Sequence, residues 1–164
     1  MYVKQSGLRY VIMRPFNTYA RSNIGSPVSV LDKWIVAGLT GAKLYLYDPE
    51  PKRDFMFRTD HAAAYVSVIK ALEQDGARVL GQTFNFGTGV SHSIGHCLNL
   101  VTEALGLEPG RIEHVRFKRS GDVPVLHADS SRAREQLGWV PQYPLEEGLK
   151  AAIREWRTRL RCPS

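Results

Sequence analysis

A chain of 164 residues is long enough for one domain with its own hydrophobic core and too short for two. Its 43% apolar and 23% charged residues are the balance of a soluble globular protein, and no apolar run approaches the roughly eighteen residues that a membrane span requires. The net charge of +6 suits an anionic partner, but the cations are scattered rather than gathered into a stripe, which disfavours nucleic acid.

Met1 to Ser6 read as a helix end stopped by Gly7. Tyr10-Val11-Ile12-Met13 is an apolar run that reads as a buried strand, closed by Pro15 because proline cannot donate the next ladder bond. Ser26-Pro27 is a cap followed by an N1 proline, opening a helix through Leu31, Trp34, Ile35 and Leu39 that Gly41 closes. Lys43 to Tyr47 alternates like a strand, and Asp48-Pro49-Glu50-Pro51 is a turn. Arg53 to Phe57 is a short extended piece, and Thr59 caps a helix to about Gln74 with Asp75-Gly76 as its stop.

Thr83 to Phe86 is a short aromatic strand running into Gly87-Thr88-Gly89. Ser93 caps a helix whose Ile94, Cys97, Leu98, Val101, Ala104 and Leu105 share one face. A strand near Ile112 to Phe117 and a polar loop from Lys118 to Asp122 follow. Asp129 caps a helix to Leu137, ended by Gly138, and Trp139 reads as core. Pro144 begins a last helix with Leu145, Leu149, Ile153, Trp156 and Leu160 inside. The cations Arg154, Arg157, Arg159 and Arg161 fall on that helix and its tail, as on a solvated face. Strands alternating with helices, less regularly than in a doubly wound sheet, predict one small mixed α/β unit over residues 1–164.

The chemistry-bearing positions cluster near loops. Asn17 follows the proline-ended strand, where ligands of open α/β sheets gather, and its amide both donates and accepts. It could equally be a loop asparagine holding a turn. Arg53 offers a planar fork to phosphate oxygens, or else it pairs on the surface with Asp48, Glu50 or Asp54. Arg119-Ser120-Gly121-Asp122 places a second guanidinium beside a carboxylate that can accept hydroxyl bonds, though a Gly-Asp step is also an ordinary turn. Gly87-Thr88-Gly89 is no dinucleotide fingerprint, since His92 stands where the third glycine belongs. His92 and His96 are four apart, yet no third ligand is evident, which favours a structural reading. Cys97 and Cys162 make no disulfide framework, and the N-terminus lacks a basic-then-apolar leader. A reducing cytoplasm is the expected compartment.

Arg14-Pro15-Phe16-Asn17-Thr18-Tyr19, Arg53-Asp54-Phe55, Arg119-Ser120-Gly121-Asp122, Ala128-Asp129-Ser130-Ser131-Arg132-Ala133 and Leu137-Gly138-Trp139 occur in the order found in a known family. Together they resemble the extended short-chain dehydrogenase/reductases, the NAD-dependent nucleotide-sugar epimerases and dehydratases. The resemblance implies a small mixed α/β substrate-binding domain plus the last strand or strands of an incomplete Rossmann-like sheet. It also implies that Arg53 and Arg119 grip the diphosphate of a nucleoside diphosphate-sugar. Asp122 would accept the ribose hydroxyls and Asn17 would meet the sugar and phosphate region, while Tyr47 and Ile94 would line the base slot or else belong to the core. The backbone at Pro15 and Phe16 would lie near the nicotinamide of an intact enzyme. The Gly87 turn would support the binding loop rather than cradle a cofactor. Departures stand beside these matches: Ala20-Arg21-Ser22 for Gly-Pro-Arg, Asp48-Pro49 for a glycine after Tyr47, and Arg58-Thr59 before the retained Asp60.

The family's proton-transfer pair, a tyrosine with lysine four residues on, has no counterpart at any tyrosine of the sequence, and no glycine-rich first turn is present. The resemblance therefore covers only the C-terminal portion of the family's length, without its NAD-binding front. NAD or NADP belongs to the intact family enzyme and is not expected to bind this chain tightly alone, and no metal is expected. Three readings follow: a nucleotide-sugar-binding portion that is catalytically incomplete by itself, an assembly module working as a homo-oligomer or with a separate NAD-binding half, or a basic nucleic-acid-interaction protein.

Overall fold

A computed structural model describes residues 7, 9–20, 22–23, 26–116 and 121–161. The predicted helix end at residues 1–6 and the predicted strand residue Phe117 lie outside the described residues. The first strand, β1 (Ile12–Pro15), runs two residues later than the apolar pattern suggests, and it is not buried: Ile12 is 42% exposed. The reason is a lack of neighbours, not of hydrophobicity. Among the described residues β1 has one strand partner, so its other edge and part of one face stay open.

After β2 (Asn17–Tyr19), a two-rung antiparallel pair joins β3 (Ser22–Asn23) to β4 (Ser26–Pro27). The first helix, α1 (Val30–Thr40), is capped by Ser29 rather than opened by Ser26-Pro27. The Ser29 hydroxyl accepts the Asp32 amide at 3.0 Å and donates to the Asp32 carboxylate at 2.7 Å. That reciprocal pair outweighs the proline signal three residues upstream, which is spent in β4. Gly41 closes the helix at a φ of 83°, as expected.

Next come β5 (Leu44–Leu46), β6 (Lys52–Arg53) and β7 (Phe55–Phe57), with the Asp48 carboxylate accepting the Glu50 amide in the intervening turn. The second helix, α2 (Arg58–Val79), starts at Phe57 with no side-chain cap, so Thr59 lies inside it. Asp75, with a non-helical φ of −152° and ψ of 78°, interrupts it where the sequence places the stop, and a second helical stretch continues beyond the kink to Val79. Then follow β8 (Thr83–Phe86), β9 (His92–Ser93) and α3 (Ile94–Leu105), capped by Ser93 as the sequence predicts and closed by Gly106. A 3-10 turn (Pro109–Arg111) leads into β10 (Ile112–His114) and β11 (Val125–Leu126). The chain ends in α4 (Ser131–Leu137) and α5 (Leu145–Arg161). At α4 the Asp129 carboxylate accepts the Ser131 amide at 3.0 Å, while Ser130 holds the cap position.

Pairing is mostly parallel: β1 with β8, β2 with β7, β5 with β10 and β11 with β6, while β6 and β9 are antiparallel. This is a mixed α/β architecture of short sheets joined by helical crossovers. The organising element is β7, buried on both sides. Its pleat sends Phe55 and Phe57 into a cluster with Tyr19, Leu31, Trp34, Leu98 and Leu149, and Met56 into another with Val68, Phe84, Phe86 and Trp139. Trp139 is core, 4% exposed, with its indole edge-on to Phe86 and its N–H donated to the Asp60 carbonyl at 3.1 Å. The first cluster packs β2, β5 and β7 against α1, α3 and α5, and the second backs the Rossmann-like strands β1 and β8.

Candidate functional site

Where β1 ends and β2 begins, a cleft of about 650 Å³ opens, lined among others by Pro15, Phe16, Asn17, Arg53, His61 and Ile94. A second hollow of about 420 Å³ adjoins it, lined by Val30, Tyr47, Asp48, Pro51, Arg53, Ile94 and Asp122. Arg53, Ile94 and Val30 belong to both, so the two form one bent groove with the guanidinium at its elbow. Every site residue named from the sequence except Arg119 lines this groove. Arg119 lies outside the described residues.

Arg53 occupies the middle strand of β11–β6–β9, opposite Leu126 on one side and His92 on the other. Its guanidinium donates from Nη1 to the carbonyls of Lys52 at 2.8 Å and Val123 at 2.7 Å, and from Nη2 to Asp122 Oδ1. None of Asp48, Glu50 and Asp54 is its ion-pair partner, contrary to the surface pairing open on sequence grounds. With the Arg53 side chain 15% exposed and Asp122 42%, the pair sits at the groove wall rather than out in solvent.

Asn17 donates its amide to the Asp54 carbonyl at 3.4 Å, so it helps hold the strand that carries Arg53 while facing the cleft. Tyr47 is 58% exposed and is therefore a wall residue, not core. Ile94 is half-buried at the first turn of α3, whose amide is fixed by the Pro51 carbonyl at 3.0 Å.

Two features escaped the sequence reading. Asp54, the middle residue of Arg53-Asp54-Phe55, is fully buried and never reaches the groove. Its carboxylate accepts the Thr88 amide at 2.9 Å, the Thr88 hydroxyl at 2.6 Å, the Gly89 amide at 2.9 Å and the Ala128 amide at 3.1 Å. A Cβ on Gly87 would meet Asp54 Oδ2 at 2.7 Å and the Ala128 Cβ at 2.6 Å, which explains the glycine. The amides of this Gly-Thr-Gly turn are thus committed within the protein, those of Thr88 and Gly89 to the Asp54 carboxylate and that of Gly87 to the Ser130 hydroxyl at 3.0 Å. They do not fit a dinucleotide phosphate, and the described residues show no other glycine-rich cradle for one.

The second feature is His61, in the first turn of α2, which lines the larger cleft. Its Nδ1 lies 2.9 Å from the Thr18 hydroxyl, and its ring stacks on Tyr65 at 5.2 Å. The signal that could have found it is position: it follows a buried strand directly, at the strand end where such folds collect ligands. His92 and His96 stack at 5.5 Å, and burial followed by the nearby His96 pushes His92 below its ordinary 6.5. Among the described residues no three potential metal ligands converge.

Parallel strand pairs bridged by helices, with a groove holding Arg53 at their ends, define a Rossmann-related α/β protein. Comparison makes this specific. The family model described as GDP-mannose 4,6 dehydratase matches residues 1–152, and the chain belongs to this family, within the extended short-chain dehydrogenase/reductases that comprise the NAD-dependent nucleotide-sugar epimerases and dehydratases. A UDP-glucose 4-epimerase of Mycolicibacterium smegmatis is 32% identical over 132 residues, covering 80% of this chain and 39% of its own length. The structure of the Thermotoga maritima UDP-glucose 4-epimerase with UDP-glucose is 29% identical with a TM-score of 0.81, covering 97% of this chain and 49% of that one. MoeE5, solved in complex with UDP-glucuronic acid and NAD, is 28% identical with a TM-score of 0.76, covering 90% and 46%. The chain thus spans about half the length, or less, of the proteins it matches. Among the described residues no helix is long and apolar enough to cross a membrane.

Proposed function

We propose that this chain binds a nucleoside diphosphate-sugar in the bent groove. In this reading Arg53 and Arg119 take the diphosphate, Asp122 the ribose hydroxyls, Asn17 the sugar side, and Tyr47 with Ile94 the base. Residues 1–164 act as one substrate-binding unit of an NAD-dependent epimerase or dehydratase, with Pro15 and Phe16 facing the nicotinamide when a cofactor-binding part is present. Without a tyrosine–lysine pair of the family's spacing, these residues turn over nothing alone.

The supporting observation is the continuity of the groove: residues 15–17, 47, 53, 94 and 122, far apart in sequence, meet along one surface with a guanidinium at its bend. Charge-assisted bonds to such a guanidinium contribute about 1.5–3 kcal/mol each, enough for it to dominate recognition. Isothermal titration with UDP-glucose and dTDP-glucose tests the reading. Binding by the wild-type chain and its loss in Arg53→Ala is the expected result, and equal affinity in the variant removes the assignment.

A second reading, assembly with a separate NAD-binding chain, is favoured by the open edge of β1 and by the exposed Tyr65 and Ile69 on α2. Sizing chromatography distinguishes it: a monomer that binds no hydrophobic dye counts against it.

A further inference from the structure

We propose that Asp122 is a specificity-determining residue that masks Arg53 from anions lacking a hydroxyl-bearing group for the freed carboxylate. This rests on the reading above, in which Arg53 takes the diphosphate and Asp122 the ribose.

Both terminal nitrogens of Arg53 are engaged: Nη1 by the Lys52 and Val123 carbonyls, Nη2 by Asp122. A carboxylate on a guanidinium occupies the place, and supplies the charge, of a phosphate oxygen. The segment carrying it is tied to the strand that carries Arg53. The Lys52 amide donates to the Pro124 carbonyl at 2.7 Å and the Asp54 amide to the Leu126 carbonyl at 3.0 Å, so the two groups are held opposite each other.

Consider what each class of anion must do at this elbow. To take the Nη2 donor of Arg53 that Asp122 holds, inorganic phosphate or pyrophosphate must displace the carboxylate. It then lies beside a carboxylate that has lost its partner, and like charges repel. A nucleoside diphosphate brings two groups at once. Its phosphate oxygens replace Asp122 on the guanidinium, and its vicinal hydroxyls replace the guanidinium on Asp122. Every charged group that gives up a partner gains one. The ion pair thereby converts a generic phosphate receptor into one that requires phosphate and sugar together.

The test is parallel calorimetric titration of the full 164-residue chain with inorganic pyrophosphate and with UDP. Wild type, Asp122→Ala, Asp122→Asn and Arg53→Ala are compared, each checked for its thermal unfolding transition. Removing the carboxylate tightens pyrophosphate about two- to fivefold, the scale of a half-screened ion pair, and weakens UDP, so the preference for UDP collapses. Asp122→Asn keeps the side-chain shape and decides the matter should Asp122→Ala fail to fold. Pyrophosphate affinity unchanged or weaker in the Asp122 variants, with UDP binding lost in Arg53→Ala, overturns the mask and leaves the diphosphate reading standing. Undiminished UDP binding in Arg53→Ala, or none in wild type, overturns both.

Discussion

Asp54 shows how much a single carboxylate can organise without touching a ligand. Its four donors come from a turn 34–35 residues away and from Ala128, 74 residues away. An Asp54→Asn chain presents an amide to donors that require an acceptor. It should lose about 2–4 kcal/mol in urea unfolding, since each buried donor left unsatisfied costs about 1–3 kcal/mol. Gly148 sets a second contest. In most helices Gly→Ala gains about 1 kcal/mol of propensity, but here the new methyl would collide with the Tyr19 hydroxyl. Tyr19 is fully buried, so the collision wins, and Gly148→Ala should destabilise by about 1–3 kcal/mol on thermal melting.

Cys97 is quiet for a related reason: burial pushes its thiol up to about 12. His92 gives a pH prediction. Its pKa is depressed by burial first and by His96 second. A depressed folded-state value means that this contribution to stability is present above the unfolded value near 6.5 and is lost as pH falls through the folded one. His96→Gln removes one lowering influence, so NMR titration of the His92 ring should show its midpoint rise.

At the scale of elements, short-range signals were legible and long-range ones were not. Gly41 and Gly138 end their helices because a left-handed residue is a local demand, and Ser93 caps its helix through an equally local bond. Thr83 to Phe86 is a strand end to end, as its short aromatic run implies. The Ser26-Pro27 cap failed because the real cap, Ser29, is held by the Asp32 carboxylate, which also accepts the Ala20 amide and the Trp156 indole. Ser29→Ala should therefore cost about 1–2 kcal/mol in chemical denaturation. The Arg53–Asp122 pair was equally out of reach, since its members are 69 positions apart. The arginines of α5 read correctly as a solvated face: Arg154, Arg157, Arg159 and Arg161 are exposed, with Arg159 lying over the Trp156 ring.

Over the whole molecule, the fold class was legible because strand and helix periods alternate along the chain. The exposure of β1 was not, because it depends on which strands stand beside it. The apolar run reports that a surface can be covered, not what covers it. The same scale governs cooperativity. Tyr19, Phe55 and Phe57 tie β2 and β7 to α5, while Met56 joins the layer behind β1 and β8. Differential scanning calorimetry should accordingly show one transition rather than two, with the calorimetric and van't Hoff enthalpies in agreement.

The three residues of β7 also limit what this chain tolerates in evolution. A single inserted amino acid after Met56 would invert the inside and outside of everything beyond it in the strand, spoiling both hydrophobic layers together. Insertions are thus best accommodated elsewhere, in the exposed connection after Gly106. Immediately upstream, Arg53 inherits this intolerance to a change of frame: its position is kept by neighbours that have nothing to do with phosphate.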